Sequence, residues 1–260
     1  MLKKINFHTH TKRCKHAVGE DIDYINKALE NNISKLGFSD HGPYPDNRFG
    51  LRMNFNELDE YHSTLSSFKE RFKDSIEIKV GLEIEYLNSD DYYYNYLVNE
   101  LNFDYLGLGQ HMFLNEDGEL KHTYSLESTQ DYIEYAKSIC EGIKTNYFSF
   151  IAHPDLIFIN DFPWDENCEE ACNLIIDTAK KYDFILEFNA NGLRRGLTKF
   201  CDGERYPYPH EAFWKKVSQK GVKTIINSDC HNPKDLWDST MEEAYKLAKS
   251  LNLNIVYDIN

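Results

Sequence analysis

The chain has little of what would place a protein outside the cell, in a membrane or on a nucleic acid. Its six cysteines, at 14, 140, 168, 172, 201 and 230, include no C-x-x-C pair. They read as reduced thiols rather than a disulfide framework or a thiolate zinc site. No run approaches the ~18 uninterrupted apolar residues of a membrane span. Met1-Leu2-Lys3-Lys4-Ile5 moves straight into a polar strand end, so no signal peptide is expected. Positive charge is in deficit: 29 Lys and Arg against 43 Asp and Glu leave a net charge of −14. Such a surface repels nucleic-acid backbones and anionic membranes, and together with the thiols it points to a cytoplasmic protein that binds neither. No Gly-rich phosphate loop follows the first strand, which argues against an open dinucleotide-binding sheet. An anionic substrate would need cations held inside the site.

What the chain does have is alternation. Its 260 residues, 41% hydrophobic and 14% aromatic, suffice for one large α/β domain. Strand-like runs at 5–10, 33–38, 76–86, 103–109, 147–152, 184–188 and 222–227 alternate with helical spacing at 21–31, 54–72, 90–101, 126–144, 165–182, 210–220 and 240–251. An extended tail at 253–257 closes the chain. Seven strand-then-helix units without a linker argue for a parallel sheet covered by helices. Polar residues gather at the C-terminal ends of all seven strands, the rim where barrel enzymes build their sites. The expected architecture is one barrel-like domain over 1–260.

Those strand ends offer His8/His10, Asp40/His41, Glu83/Glu85, His111, His153/Asp155, Asn189 and Asp229/His231, with His16 in the loop after the first strand. Alternate residues of a strand share a face, so His8-x-His10 can grip one cation, and Asp229-x-His231 repeats the spacing if the strand persists. Seven of the ten histidines fall at or beside this rim. Imidazoles and carboxylates without thiolates suit Zn, Mn or Fe, and they are too many for one tetrahedral ion. Two or three metals are expected, an arrangement suited to phosphate-ester hydrolysis. Spacing alone does not choose between Glu83 and Glu85. Cys14 and Cys230, near the histidine motifs, read as packing residues. His62 and His210 read as structural, and His122 as a candidate lid residue.

His8-Thr9-His10, Asp40-His41, Gly81-Leu82-Glu83, His111, Ala152-His153-Pro154 and Ser228-Asp229-Cys230-His231 resemble, in order, the motifs of the PHP (polymerase and histidinol phosphatase) family. The segments Gly81–Tyr86 and Glu187–Arg195, followed by Tyr206-Pro207, resemble its stand-alone histidinol-phosphate phosphatases. The resemblance implies a single PHP-type catalytic domain, 1–260, folded as a distorted (β/α)7 TIM-like barrel with the metal site at the C-terminal ends of the strands. It implies three divalent transition metals (Zn, Mn or Fe). His8, His10, Glu83 and Asp229 would hold the first; Glu83 would bridge to a second completed by His111 and His153; His16, His41 and His231 would hold the third. The family's Gly-x-Glu pattern favours Glu83 over Glu85, and Asp40 would orient His41 from behind. Where this chain has Asn189 the family usually has Ser or Thr.

The implied reaction is hydrolysis of L-histidinol phosphate, a small phosphate monoester of histidine biosynthesis, by a metal-bound hydroxide. The alternative is another PHP phosphoesterase, acting on protein phosphotyrosine, nucleotides or nucleic acid. Arg194 and Arg195 are the expected clamp on the phosphoryl oxygens, with Arg48 and Arg52 as weaker candidates and Asn189 as a hydrogen-bond donor to substrate. Asp229, or a water it orients, is the candidate proton source for the leaving alkoxide. The sequence leaves the oligomeric state open.

Overall fold

The computed structural model describes residues 3–259. In chain order it contains β1 (Ile5–Asn6), α1 (Asp21–Glu30), β2 (Lys35–Phe38), α2 (Leu58–Phe72), β3 (Glu77–Ile84), α3 (Asp91–Asn95) and β4 (Tyr105–Leu108). A hairpin, β5 (Met112–Leu114) and β6 (Leu120–His122), precedes α4 (Gln130–Thr145), β7 (Phe150–Ile151), α5 (Glu166–Lys181), β8 (Ile185–Asn189) and α6 (Ala190–Arg194). A second hairpin, β9 (Thr198–Phe200) and β10 (Gly203–Arg205), leads to α7 (Glu211–Lys220), β11 (Lys223–Asn227), α8 (Ser239–Ser250) and β12 (Asn254–Ile255).

The helices follow from caps and apolar stripes. Asp165 accepts from the Cys168 N–H and starts α5, which buries Cys168, Ala171, Cys172, Ile175, Ile176 and Ala179 on one face. Asp238 does the same for α8 through the Met241 N–H. Asn54 caps, with Glu57 reciprocating, but a short 3₁₀ turn over Phe55–Glu57 intervenes before α2 begins. The helix expected over 90–101 is regular only to Asn95 and continues as a π-helical turn over Tyr96–Glu100.

Eight strands form one sheet in the order β1-β2-β3-β4-β7-β8-β11-β12, and every neighbouring pair is parallel. Only the hairpins are skipped, so each crossover advances the sheet one way and curls it. The curl brings the first strand's end to that of β11. A parallel bridge joins Thr9 to Cys230, and the His10 N–H donates to the Cys230 carbonyl at 3.0 Å. Two asparagines fasten the same seam: Phe7 N–H donates to Asn227 Oδ1 (2.8 Å) and Ser228 N–H to Asn6 Oδ1 (2.6 Å). The eighth strand, from the tail expected only to be extended, pairs with the beginning of β11, where Lys223 opposes Asn254.

Inside the curl, Ile5, Phe7, Tyr105, Phe150, Ile185 and Ile225 form a small core distinct from the larger one between sheet and helices. Each such large side chain contributes about 1.5–3 kcal/mol by burial. The Tyr105 hydroxyl lies 2.7 Å from the Phe7 carbonyl and 2.9 Å from that of Phe38, so this buried polar atom is satisfied. Its ring leaves no room for a side chain at position 81: a Cβ there would lie 2.4 Å away, hence Gly81. No helix among the described residues is long and apolar enough to cross a membrane.

Candidate metal centre

The candidate ligands meet at the C-terminal edge of the curled sheet. The β1 ladder ends at Asn6, but the bridge at Thr9 keeps the chain extended, and the His8 and His10 rings lie 4.9 Å apart. The repeat expected for Asp229 and His231 forms by another route. β11 ends at Asn227, and Asp229 turns back with φ +48°. His153 also has positive φ, +31°. Such backbone costs on the order of 1–3 kcal/mol per residue outside glycine and concentrates at functional sites.

Glu83 stands at the centre. Its Oε2 lies 3.4 Å from His8 Nε2, 3.4 Å from His10 Nε2 and 2.9 Å from His41 Nδ1. Its Oε1 lies 2.8 Å from His153 Nε2 and 3.6 Å from His111 Nε2. Asp229 Oδ1 is 3.4 Å from His8 Nε2 and 3.2 Å from His10 Nε2. Separations near 3.3 Å are those of ligand atoms about 2.0–2.1 Å from one tetrahedral ion. The carboxylate reaches this place because position 109 is glycine; a Cβ there would stand 2.2 Å from Glu83 Oε1. On the far side His231 stacks on His10 at 4.3 Å, and His16 lies 4.6 Å from His231 and 5.3 Å from His41 between ring centres. Nitrogens of His10, His41 and His231 lie within 4.8 Å of one another, as do Cys14 Sγ and nitrogens of His16 and His231.

The protonation of this set matches a ligand cluster. Burial alone would raise the pKa of Glu83 and Asp229, yet His8, His111 and His41 hold Glu83, and His8, His10 and His231 hold Asp229, well below the usual carboxylate range. Burial lowers His10 and His41 and pushes His231 down to about 3, leaving neutral rings with a free lone pair. His8 is the exception: against burial, Glu187, Asp229 and Glu83 raise it. His8 Nε2, His10 Nε2 and Glu83 Oε2 are buried without any hydrogen-bond partner among the described residues. Orphaned buried polar atoms cost about 1–3 kcal/mol each, and three of them aimed at one point fit a cation.

The other expected residues divide. Arg195 is exposed beside the cavity; among the described residues only its Nε is bonded, to Tyr208 Oη at 3.1 Å. Arg194 also lines the cavity, but its guanidinium is tied to the Ser228 carbonyl and hydroxyl, the Asp235 carbonyl and the Asp238 carboxylate. Arg48 pairs with Asp46 and Asp90 away from the site. Arg52 is buried and forks onto Glu85 at 2.9 and 3.0 Å. Glu85 in turn faces His111 Nδ1 at 3.4 Å, so it stands behind that ring rather than in place of Glu83. Asn189 is fully buried and donates to Glu187 Oε2 and Asp229 Oδ2, so it touches carboxylates rather than the cavity.

One expected support, Asp40, and one strand-end carboxylate, Asp155, take other places. Asp40 does not face His41; it accepts from the Thr11 N–H (2.7 Å) and hydroxyl, shaping the turn that carries Cys14 and His16. Burial pushes its pKa up to about 7 despite those bonds. Asp155 holds the start of α7, accepting from His210 N–H (2.6 Å) and Trp214 Nε1 (2.9 Å). His62 packs on Phe103, and His210 packs against both Phe158 and Trp164. His122, at the end of the first hairpin, is exposed near Tyr124. Cys14 and Cys230 are buried, with burial pushing both thiols up to about 12.

Four residues at the site were given no role by the sequence. The cavity, about 250 Å³, is walled by Tyr124, Tyr208 and Asn191 as well as by Arg195 and the candidate ligands other than His8 and His10. Tyr124 lies parallel to the His111 ring, 6.4 Å between centres. Asn191 donates to Asp229 Oδ2 at 3.2 Å. Glu187, fully buried, receives His8 Nδ1 at 2.8 Å; in the sequence it opens the Glu187–Arg195 segment and lies two residues before Asn189 on one strand.

Known proteins resemble this chain in sequence and in fold. A family model described as the PHP domain matches residues 6–191. The chain is 23% identical over 240 residues to a protein of Deinococcus radiodurans named a probable histidinol-phosphatase, covering 87% of this chain and 85% of that one. It is 22% identical over 271 residues to the histidinol-phosphatase of Bacillus subtilis, covering 90% and 96%. Its fold superposes with a TM-score of 0.71 on a histidinol phosphate phosphatase of Lactococcus lactis, solved with zinc, L-histidinol and phosphate; identity is 17%, and coverage is 98% and 96%. With the family model matching well over half of its length, this chain belongs to the PHP domain family.

Proposed function

We propose that the protein is a metal-dependent phosphatase that hydrolyses L-histidinol phosphate to L-histidinol and phosphate. The observation that carries the reading is the convergence of buried His8 Nε2, His10 Nε2 and Glu83 Oε2, unpartnered among the described residues, at a cavity that Glu83 and Asp229 line and that has a guanidinium at its edge. The curated relatives named as histidinol-phosphatases support the substrate. The sheet is read as a seven-unit (β/α) barrel extended by β12, in one catalytic domain over 1–260.

Three cations of the Zn, Mn or Fe type are assigned as follows. His8, His10, Asp229 and Glu83 would hold the first; Glu83, His111 and His153 would hold the second; His16, His41 and His231 would hold the third. When bound, such cations withdraw charge from phosphoryl oxygens and acidify water as a nucleophile. The protein's own groups do the rest. Arg195 offers its free N–H donors to the phosphoryl oxygens, with Tyr208 holding its Nε. Arg194 holds Ser228, and so the turn that presents Asp229. Asp229, kept ionised by its imidazole neighbours, acts as a ligand rather than as the acid for the leaving alkoxide. A cavity of about 250 Å³ suits a small monoester, and the net charge of −14 disfavours nucleic acid and anionic membranes; a cytoplasmic setting follows from the same reading.

The test is a turnover panel on metal-loaded protein: L-histidinol phosphate, phosphotyrosine, nucleotides and single-stranded DNA. L-Histidinol phosphate should give the highest kcat/KM. Its absence from the products while another ester is cleaved well would overturn the assignment.

A further inference from the structure

Several of the candidate ligands are tied, in the structure, to one carboxylate that does not reach the cavity. Glu187, in β8, is fully buried. Its Oε1 lies 2.8 Å from His8 Nδ1 and 2.9 Å from Asn227 Nδ2. Its Oε2 lies 2.9 Å from the His153 backbone nitrogen and 2.8 Å from Asn189 Nδ2.

Three of these four partners are donors by necessity. The His153 nitrogen is a backbone N–H. Asn227 uses its oxygen to accept from Phe7 N–H, so its amide nitrogen faces Glu187. Asn189 uses its oxygen to accept from Asn191 N–H, with the same consequence. An ionised carboxylate only accepts, so the fourth partner, His8 Nδ1, must carry a hydrogen. A neutral ring protonated on Nδ1 has its lone pair on Nε2. That is the atom lying 3.4 Å from both Glu83 Oε2 and Asp229 Oδ1 with no hydrogen-bond partner.

We propose that Glu187 is a positioning residue that fixes the Nδ1–H tautomer and ring orientation of His8, so that Nε2 presents its lone pair to a metal ion. The inference rests on the proposed metal centre. The same carboxylate extends its hold to the neighbouring ligands. It accepts from the backbone of His153, and Asn189, bonded to it, also donates to Asp229 Oδ2 at 3.1 Å. Carboxylates behind ligating histidines typically change metal affinity 10–100-fold when removed.

Glu187→Gln has the same shape but replaces one acceptor by a donor, and every group around it is a donor. Turned one way, its NH₂ confronts the His153 N–H and Asn189. Turned the other way, it confronts His8, which relieves the conflict only by moving its hydrogen to Nε2, where it blocks the metal. Zinc affinity by chelator competition should therefore fall about 10–100-fold in E187Q. Independently, zinc-loaded wild-type protein labelled with ¹⁵N-histidine should show the His8 ring with a protonated Nδ1 and a metal-bound Nε2. If E187Q does not fold, that wild-type spectrum decides alone. Wild-type zinc affinity in folded E187Q, or metal bound through Nδ1 of His8, would overturn the proposal while leaving the metal centre standing. Failure of the wild type to bind zinc, manganese or iron would overturn both.

Discussion

Replacing Arg52 separates its structural role from the anion-binding role its sequence position suggests. Arg52 is 7% exposed and forks onto a Glu85 that is 0% exposed; its Nη1 also donates to the Gly42 carbonyl at 2.8 Å. Arg52→Met keeps the apolar stem and removes the charge. Glu85 is then left with His111 Nδ1 at 3.4 Å and the Tyr44 hydroxyl at 3.4 Å, too little for a buried carboxylate. Breaking such a pair by removing one partner costs about 3–5 kcal/mol. At about 2–4 °C per kcal/mol for a chain of this size, the melting temperature should drop by roughly 6–20 °C. The loss should depend on pH in a definite sense. In the native protein burial would raise the Glu85 pKa, but Arg52 and His111 hold it well below the carboxylate range. A depressed carboxyl stabilises the fold above its unfolded pKa, and that stability is lost only as pH falls through the lower, folded value. In R52M burial prevails and the pKa rises, so acidification protonates the stranded group and narrows the gap to wild type. Calorimetry of metal-free protein between neutral and mildly acidic pH measures this, free of metal linkage. A drop under about 2 °C at neutral pH, against the cost expected for a broken buried pair, or a gap that widens in acid, would refute the reasoning.

The two adjacent arginines at the C-terminal end of α6, Arg194 within it and Arg195 capping it, should behave oppositely. Arg195→Met should raise KM for the phosphate ester and weaken inhibition by inorganic phosphate, each at least about tenfold as for a lost charge-assisted pair, with little change in melting temperature. Arg194→Met frees the bonds to Ser228, Asp235 and Asp238 and should lower thermal stability. Steady-state kinetics beside thermal melts separate the two; equal KM effects without a difference in stability would contradict the assignment.

How much of this was legible in the sequence depends on how local each cause is. The His8/His10 pairing is carried by extended backbone, so its period of two survives into the structure although the ladder stops at Asn6. Asp229 and His231 reach the same site through a left-handed turn, which no alternation rule describes. The parallel order of the sheet followed from strand–helix alternation. The hairpin strands span three residues each, too few to show a period. Neighbours on a helix point about 100° apart, so adjacent arginines could not be told apart before their partners were known. Glu85 lies 33 residues from Arg52, and only the fold sets a carboxylate in front of that guanidinium. Tyr124 and Tyr208 reach the cavity from outside the regular helices and strands, so no periodicity announces them.

The central claim is a polynuclear centre bridged by Glu83, and anomalous scattering from crystals of metal-loaded protein soaked with phosphate tests it most directly. The account predicts three peaks: one among His8, His10 and Asp229, one beside His111 and His153 with Glu83 between the two, and one among His16, His41 and His231. A single peak, or peaks away from Glu83, would contradict it.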